Sequence, residues 1–301
     1  MKEWPTTRKR WGTTAAVIVA VMALCSPAAP LFAWGSLGHQ MVNAAAIALM
    51  PEPLRAYFER HRAYLIDHAS DPDLLARQAR SEGPHHYTDM DVYGPYPFAE
   101  LRRVFVEEKR WVSSSLERDG DSLWQIDRFA TWIEKDFSRG NRGELDHDLV
   151  YMAHYAADLT QPLHTTRNYD GQDTGQRGVH GRFETELVDA MANRWRLRPA
   201  PAAVIPHLHE RIFDVGLESY RQIPLLLSAD RQASQGISFQ DPQYMTRMER
   251  LAGPLAESRL EAAATFVSSL WYTAWVRAGK PDLRQWTRAG AEGTYSALPG
   301  Y

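Results

Sequence analysis

One cysteine occurs in 301 residues, Cys25, so no intrachain disulfide can form and no thiol pair is available for metal or redox chemistry. A glycine-rich phosphate cradle, a nucleophile-elbow serine and a Cys/His pair are also missing, which removes the sequence signals of P-loop, serine-hydrolase and thiol-protease chemistry. No segment of strand length alternates apolar and polar residues convincingly, so a sheet has no sequence support. There is no internal repeat and no linker strong enough to divide the chain, and basic residues are not in excess. The chain holds 34 Lys and Arg against 37 Asp and Glu. Strong non-specific binding to nucleic acid is therefore not implied, because it needs a basic surface.

The N-terminus supplies a secretory pattern. Arg8, Lys9 and Arg10 precede the apolar run TTAAVIVAVMALC, which is followed by SPAAPLFAWG. A basic stretch, a short apolar core and a small residue before the cut predict a signal peptide over residues 1–33, cleaved after Ala33. No consecutive Arg pair precedes the apolar core, which points to general secretion, and Leu24 before Cys25 disfavours a lipid anchor. The expected location is secreted or periplasmic. Cleavage removes Lys2, Glu3, Arg8, Lys9, Arg10 and Cys25, leaving 268 residues with 30 basic and 36 acidic side chains, a net charge near −6. Stability then rests on packing and metal, not on disulfides.

What is there reads as helix after helix. Apolar positions recur at helical spacing over 37–50, 53–68, 98–118, 121–138, 146–159 and 180–195. Asp146 is the expected N-cap of its segment. A last long helix is expected from Pro254 to Arg277, with Leu255, Phe266, Leu270 and Trp271 as its buried stripe. Loops are expected at 83–97, 167–178 and 198–206. The reading is a single all-α domain over residues 34–301.

The stretch HYAADLTQPLH, followed by HGRFE, carries the chemistry. His154 and Asp158 are four residues apart, and so are His180 and Glu184, which places each pair on one helix face. Imidazole and carboxylate are both zinc donors, so each pair can clamp one side of an ion. Gln161-Pro162 breaks the first helix and lets His164 approach from another direction. His39 lies five residues after Trp34, whose free α-amine and carbonyl oxygen would chelate a cation after cleavage. Asp71 or Asp73, with His85 or His86, offers one further carboxylate–imidazole pair.

In this order the motifs resemble the superfamily of zinc-dependent phospholipases C and fungal-type single-strand nucleases, all-α enzymes with three zinc ions. The resemblance runs from Trp34 to about Leu187. It implies that Trp34 and His39 hold one zinc, and that Asp73, His86 and His154 hold a second, with Asp158 bridging the two. His164, His180 and Glu184 would hold the third. The family spacing A-S-x-x-D selects Asp73 over Asp71, and His-aromatic-x-Asp selects His86 over His85. Asp73 is the expected catalytic residue, orienting or deprotonating a metal-activated water that attacks a phosphodiester.

The substrate is read from smaller signals. The Trp34-to-His39 spacing is that of the nucleases. Glu184 stands where nucleases usually carry Asp, and GQDTGQRGVHG replaces their Gly-Gly-Asn element. The reading leans to a phospholipase C-like enzyme, with transient contact to a membrane surface and no stable protein partner. The alternative is a single-strand-specific endonuclease or 3′-nucleotidase. A closed zinc-binding module without turnover is the remaining possibility. Tyr87, Tyr93, Tyr96 and Phe98 can stack on a base or enclose a choline-like cation, or simply pack their loop.

Overall fold

Two long helices, Ser122–Arg139 and Arg142–Asp158, are joined by only two residues, and this tight reversal aims the second helix at the site. Gly140 adopts φ 70°, the left-handed conformation that ends a helix cheaply only for glycine, and its N–H returns to the Asp136 carbonyl. Asn141 has the extended dihedrals of an N-cap. Its side-chain amide donates to Asp136 at 3.0 Å. Asp146, the expected cap, lies inside the second helix. It accepts a hydrogen bond from the Tyr57 hydroxyl at 2.8 Å and pairs with His61, so tertiary contacts claim the carboxylate.

The computed structural model describes residues 34–109, 118–283 and 286. The expected signal segment and residues 110–117 of the expected 98–118 helix fall outside these residues. In chain order the helices are α1 Gly35–Ala48, α2 Leu54–Arg60, α3 Arg62–Asp67, α4 Asp71–Ala76 and α5 Ala99–Arg102. Then come α6 Ser122–Arg139, α7 Arg142–Asp158, α8 Val179–Gly181, α9 Leu187–Met191, α10 Leu208–Tyr220, α11 Ile223–Ala233 and α12 Pro242–Arg277. Short 3₁₀ turns at Gly83–His86, Met90–Tyr93 and Pro162–Thr165 and π-turns at Arg103–Glu107 and Arg182–Glu186 connect them. No strand occurs among the described residues, so the all-α expectation holds.

α12 is the spine of the bundle and packs against α1, α6, α7, α9 and α11. Its stripe of Leu255, Phe266, Leu270 and Trp271 is buried, as expected. It begins twelve residues earlier than Pro254, at Pro242, where the Asp241 side chain caps the Gln243 N–H. Pro254 is tolerated inside the helix because it is exposed, which leaves the partnerless Arg250 carbonyl on the solvent side. The 198–206 segment is irregular but tied down. The N–H groups of Arg198, Ala200, Ala203 and Ile205 donate to Glu261, Thr265, Ser269 and Thr273, polar residues spaced one turn apart along α12. α10 and α11 go beyond the expected set. In α11 the run Leu225-Leu226-Leu227 breaks the helical period because Leu225 faces solvent, 53% exposed.

Candidate metal centre

Three groups of ionisable side chains converge in the interior. His39, His154 and Asp158 form one, Asp73, His86 and His154 a second, and His164, His180 and Glu184 a third. Within each group the donor atoms lie within 4.8 Å of one another, and every member is buried.

The elements explain the convergence. His39 comes from the first turns of α1, and its ring stacks on His154 of α7 at 3.9 Å. Asp158 ends α7 and divides its carboxylate. Oδ1 faces His39 Nε2 at 3.3 Å, while Oδ2 faces His86 Nδ1 at 3.0 Å and His154 Nε2 at 3.5 Å. Asp73 arrives from α4, with Oδ1 at 3.4 Å from His154 and 3.5 Å from His86. Trp34 caps α1 and is fully buried. Its indole N–H donates to the carbonyl of Ala157, next to Asp158, at 2.9 Å, and Gly38 leaves room for its Cβ. This anchors the start of α1 to the end of α7.

The third group is built around a helix break. Gln161 accepts the Leu163 N–H at 2.5 Å, folding the chain into the Pro162–Thr165 turn that presents His164. His180 and Glu184 were expected on one regular helix. Instead, Glu184 lies in the π-turn between α8 and α9, with Oε2 2.7 Å from His180 Nε2 and 3.6 Å from His164 Nε2. Such turns recur at functional sites because they re-aim side chains.

Hydrogen bonds on the far side of the rings set which nitrogen faces inward. His154 Nδ1 donates to Ala69 O at 2.9 Å, His164 Nδ1 to His86 O at 2.6 Å, and His180 Nδ1 to Tyr169 O at 2.9 Å. The Nε2 lone pairs of His164 and His180 therefore meet at 3.1 Å. Two lone pairs at that distance repel unless a proton or a cation stands between them. Both oxygens of Asp73 and Oδ1 of Asp158 take no hydrogen bond although buried, and such orphaned acceptors cost about 1–3 kcal/mol each. Borderline nitrogen and hard oxygen donors, deprotonated toward a common point, fit zinc.

The electrostatics agree. Burial, then the surrounding histidines, pushes His86 well below the usual imidazole range. Burial also pulls on His154, but Asp158 and Asp73 outweigh it and hold the ring up at about 9. Asp158 is raised well above the carboxylate range by burial and by Asp73, Glu184 and Glu82, and His154 pulls the other way without reversing it. Glu184 is lowered, because His180 and His164 overcome the burial that would raise it. The cluster carries competing negative groups in a dry interior, a situation a divalent cation relieves.

All eight side-chain donors anticipated from sequence meet here. Of the two open choices, Asp73 and His86 stand in the cluster and their neighbours do not. Asp71 is on the surface with His68 at 2.7 Å, and His85 turns to Asp121 at 2.8 Å. The aromatics divide. Phe98 is buried in the core, so it forms no binding wall, and Tyr96 stacks loosely on Tyr220. Tyr87 is half-buried beside His86, with its hydroxyl donating to Arg118 O. Sequence reasoning took Gln161 for a helix breaker only. Its amide lies 3.1 Å from Glu184 and 3.2 Å from His180. Its place three residues before His164 was the one available signal.

A family model described as S1/P1 nuclease matches residues 34–188, just over half of the chain, and its span contains every one of these donors. No curated protein matches the chain significantly.

Proposed function

The chain belongs to the S1/P1 nuclease family and is accordingly a zinc-dependent phosphodiesterase; we propose that its substrate is single-stranded nucleic acid. The observation that carries this is the three buried donor groups gathered within the matched span. The phospholipase C-like reading rested on the length of Glu184 and on the altered 167–178 loop. The family match favours the alternative, as does the Trp34-to-His39 spacing. Glu184 is carried on the π-turn, and its carboxylate reaches both His180 and His164. No described helix is long and apolar enough to cross a membrane. A closed structural site is disfavoured because structural zinc sites are single and four-coordinate, whereas three donor groups share this one.

In this reading the precursor is exported and cut after Ala33. The freed α-amine and carbonyl of Trp34, with His39 and Asp158, would hold the first ion. Asp73, His86, His154 and Asp158 would hold the second, and His164, His180 and Glu184 the third. Zinc bound there supplies the positive charge that an acidic chain lacks, polarises the phosphodiester and acidifies a water molecule. Asp73 turns Oδ1 toward His86 and His154, and its carboxylate, neither oxygen of which accepts a hydrogen bond, would orient or take the proton of the attacking water. Tyr87, the half-buried residue after His86, is the ring on which a base would stack.

The test is a side-by-side assay of the mature protein, with and without a chelator, on single-stranded DNA, single-stranded RNA, a 3′-nucleotide and short-chain phosphatidylcholine. Chelator-sensitive cleavage of the nucleic acids with little lipid hydrolysis is expected. Lipid hydrolysis without nucleic-acid cleavage would overturn the proposal.

A further inference from the structure

Arg182 and Asp230 form an ion pair that the chemistry above does not use. Arg182 sits in the π-turn midway between His180 and Glu184, yet its guanidinium is buried, 6% exposed, and bonds elsewhere. Its Nε and Nη2 donate to Asp230 Oδ1 at 3.2 and 2.9 Å. Nη2 also reaches Gln176 O at 3.0 Å, and Nη1 reaches Arg177 O at 2.9 Å. Phe239 lies against the guanidinium face at 3.9 Å. Asp230, in α11, is fully buried and accepts further bonds from Tyr244 of α12 at 2.5 Å and Gln176 at 2.7 Å. Gly178, at φ 88°, must be glycine twice over: a Cβ there would stand 2.7 Å from Arg182 Nη1.

Burying both charges costs desolvation that their attraction only roughly repays, so such a pair is weak evidence of a stability role. What this pair joins is more informative. On one side are α11 and α12, both beyond residue 188. On the other are the tail of the 167–178 loop and the turn that carries Glu184. Gly178 begins α8, two residues before His180, and Tyr169 of the same loop holds His180 Nδ1. We propose that the Arg182–Asp230 pair, with Tyr244 and Gln176, is a positioning device for the third donor group. It fixes the backbone on both sides of His180 so that His180 and Glu184 converge on His164. It touches none of those donors and acts through the chain between them. The inference rests on the assignment of a zinc ion to that group.

The experiment measures zinc per chain after dialysis of the mature protein against graded chelator, together with the melting temperature of the metal-free protein. Wild type should retain three ions. Asp230→Asn should lose one of the three at a chelator concentration about ten-fold lower, with the other two unchanged. In a His164→Ala background, Asp230→Asn should have no further effect on the remaining ions. Tyr244→Phe keeps the ion pair and should fold even if Asp230→Asn does not; it should release the same single ion at about three-fold lower chelator. On single-stranded DNA these variants should lower kcat more than they raise KM. Unchanged retention of all three ions, with only a lower melting temperature, would show a merely structural pair and overturn the inference. Uniform loss of all three ions would overturn it equally. A wild type that holds fewer than three ions contradicts the zinc assignment itself, a result distinct from either.

Discussion

Replacing Asp136 by Asn should flatten the pH dependence of stability. Asp136 of α6 and Asp148 of α7 are both buried where the two helices pack, at 7% and 6% exposure. Asp136 accepts from Asn141 on one oxygen, and its other oxygen takes no hydrogen bond. Burial, then the charge of Asp148 with Glu144 behind it, lifts the Asp136 carboxyl to about 7, against an ordinary 3.8, despite the opposing bond from Asn141. The folded chain therefore holds a proton that the unfolded chain releases near pH 4. A raised carboxyl stabilises the fold fully below the unfolded value, and this contribution is lost as pH climbs through 7. At about 1.4 kcal/mol per pH unit the ceiling is ~4 kcal/mol. Solvent screening and structural relaxation bring this to about 1–3 kcal/mol, or about 3–10 °C in melting temperature for a chain of this size. The assay is thermal unfolding of metal-free wild type and Asp136→Asn at pH 5 and pH 9. Titrating groups away from Asp136, Asp148 and Glu144 cancel in the comparison because they are distant. Wild type should lose more stability than the variant between the two pH values, and the variant should be the more stable at pH 9. Identical pH dependence in the two proteins would refute the raised Asp136 carboxyl.

Two further outcomes test the site. Asp73→Asn should reduce kcat on single-stranded DNA at least 100-fold, whereas Asp71→Asn should stay within about two-fold, because Asp71 pairs with His68 at the surface; equal losses in steady-state kinetics would reject the assignment of Asp73. A protein made with one residue ahead of Trp34 should bind one zinc ion more weakly and lose most activity, since an amide nitrogen is a poor donor; an extended protein with full zinc content and turnover would remove Trp34 from the ligand set.

Much of this was legible in the sequence because it is local. The i, i+4 pairs in α7 and at His180–Glu184, and the Gln161-Pro162 break, are short-range signals, and helical periodicity marked α1, α6, α7 and the buried half of α12. What escaped depends on the tertiary fold. Glu184 lies in a π-turn, and the Arg182 of that turn bonds Asp230, 48 residues away, a partner that local sequence does not reveal. Asp146 looked like a cap until Tyr57 and His61, from another helix, claimed it. Pro254 looked like a helix start because nothing in the sequence says that its solvent-facing side could bear the missing bond. Substrate choice was the weakest inference, since one methylene at Glu184 cannot be converted into a distance without the backbone that carries it.

The most direct measurement is anomalous diffraction at the zinc edge from crystals of the mature, zinc-loaded protein. Three peaks are expected: one among Trp34, His39 and Asp158, one among Asp73, His86, His154 and Asp158, and one among His164, His180 and Glu184. A single peak, or peaks away from these side chains, would contradict the account.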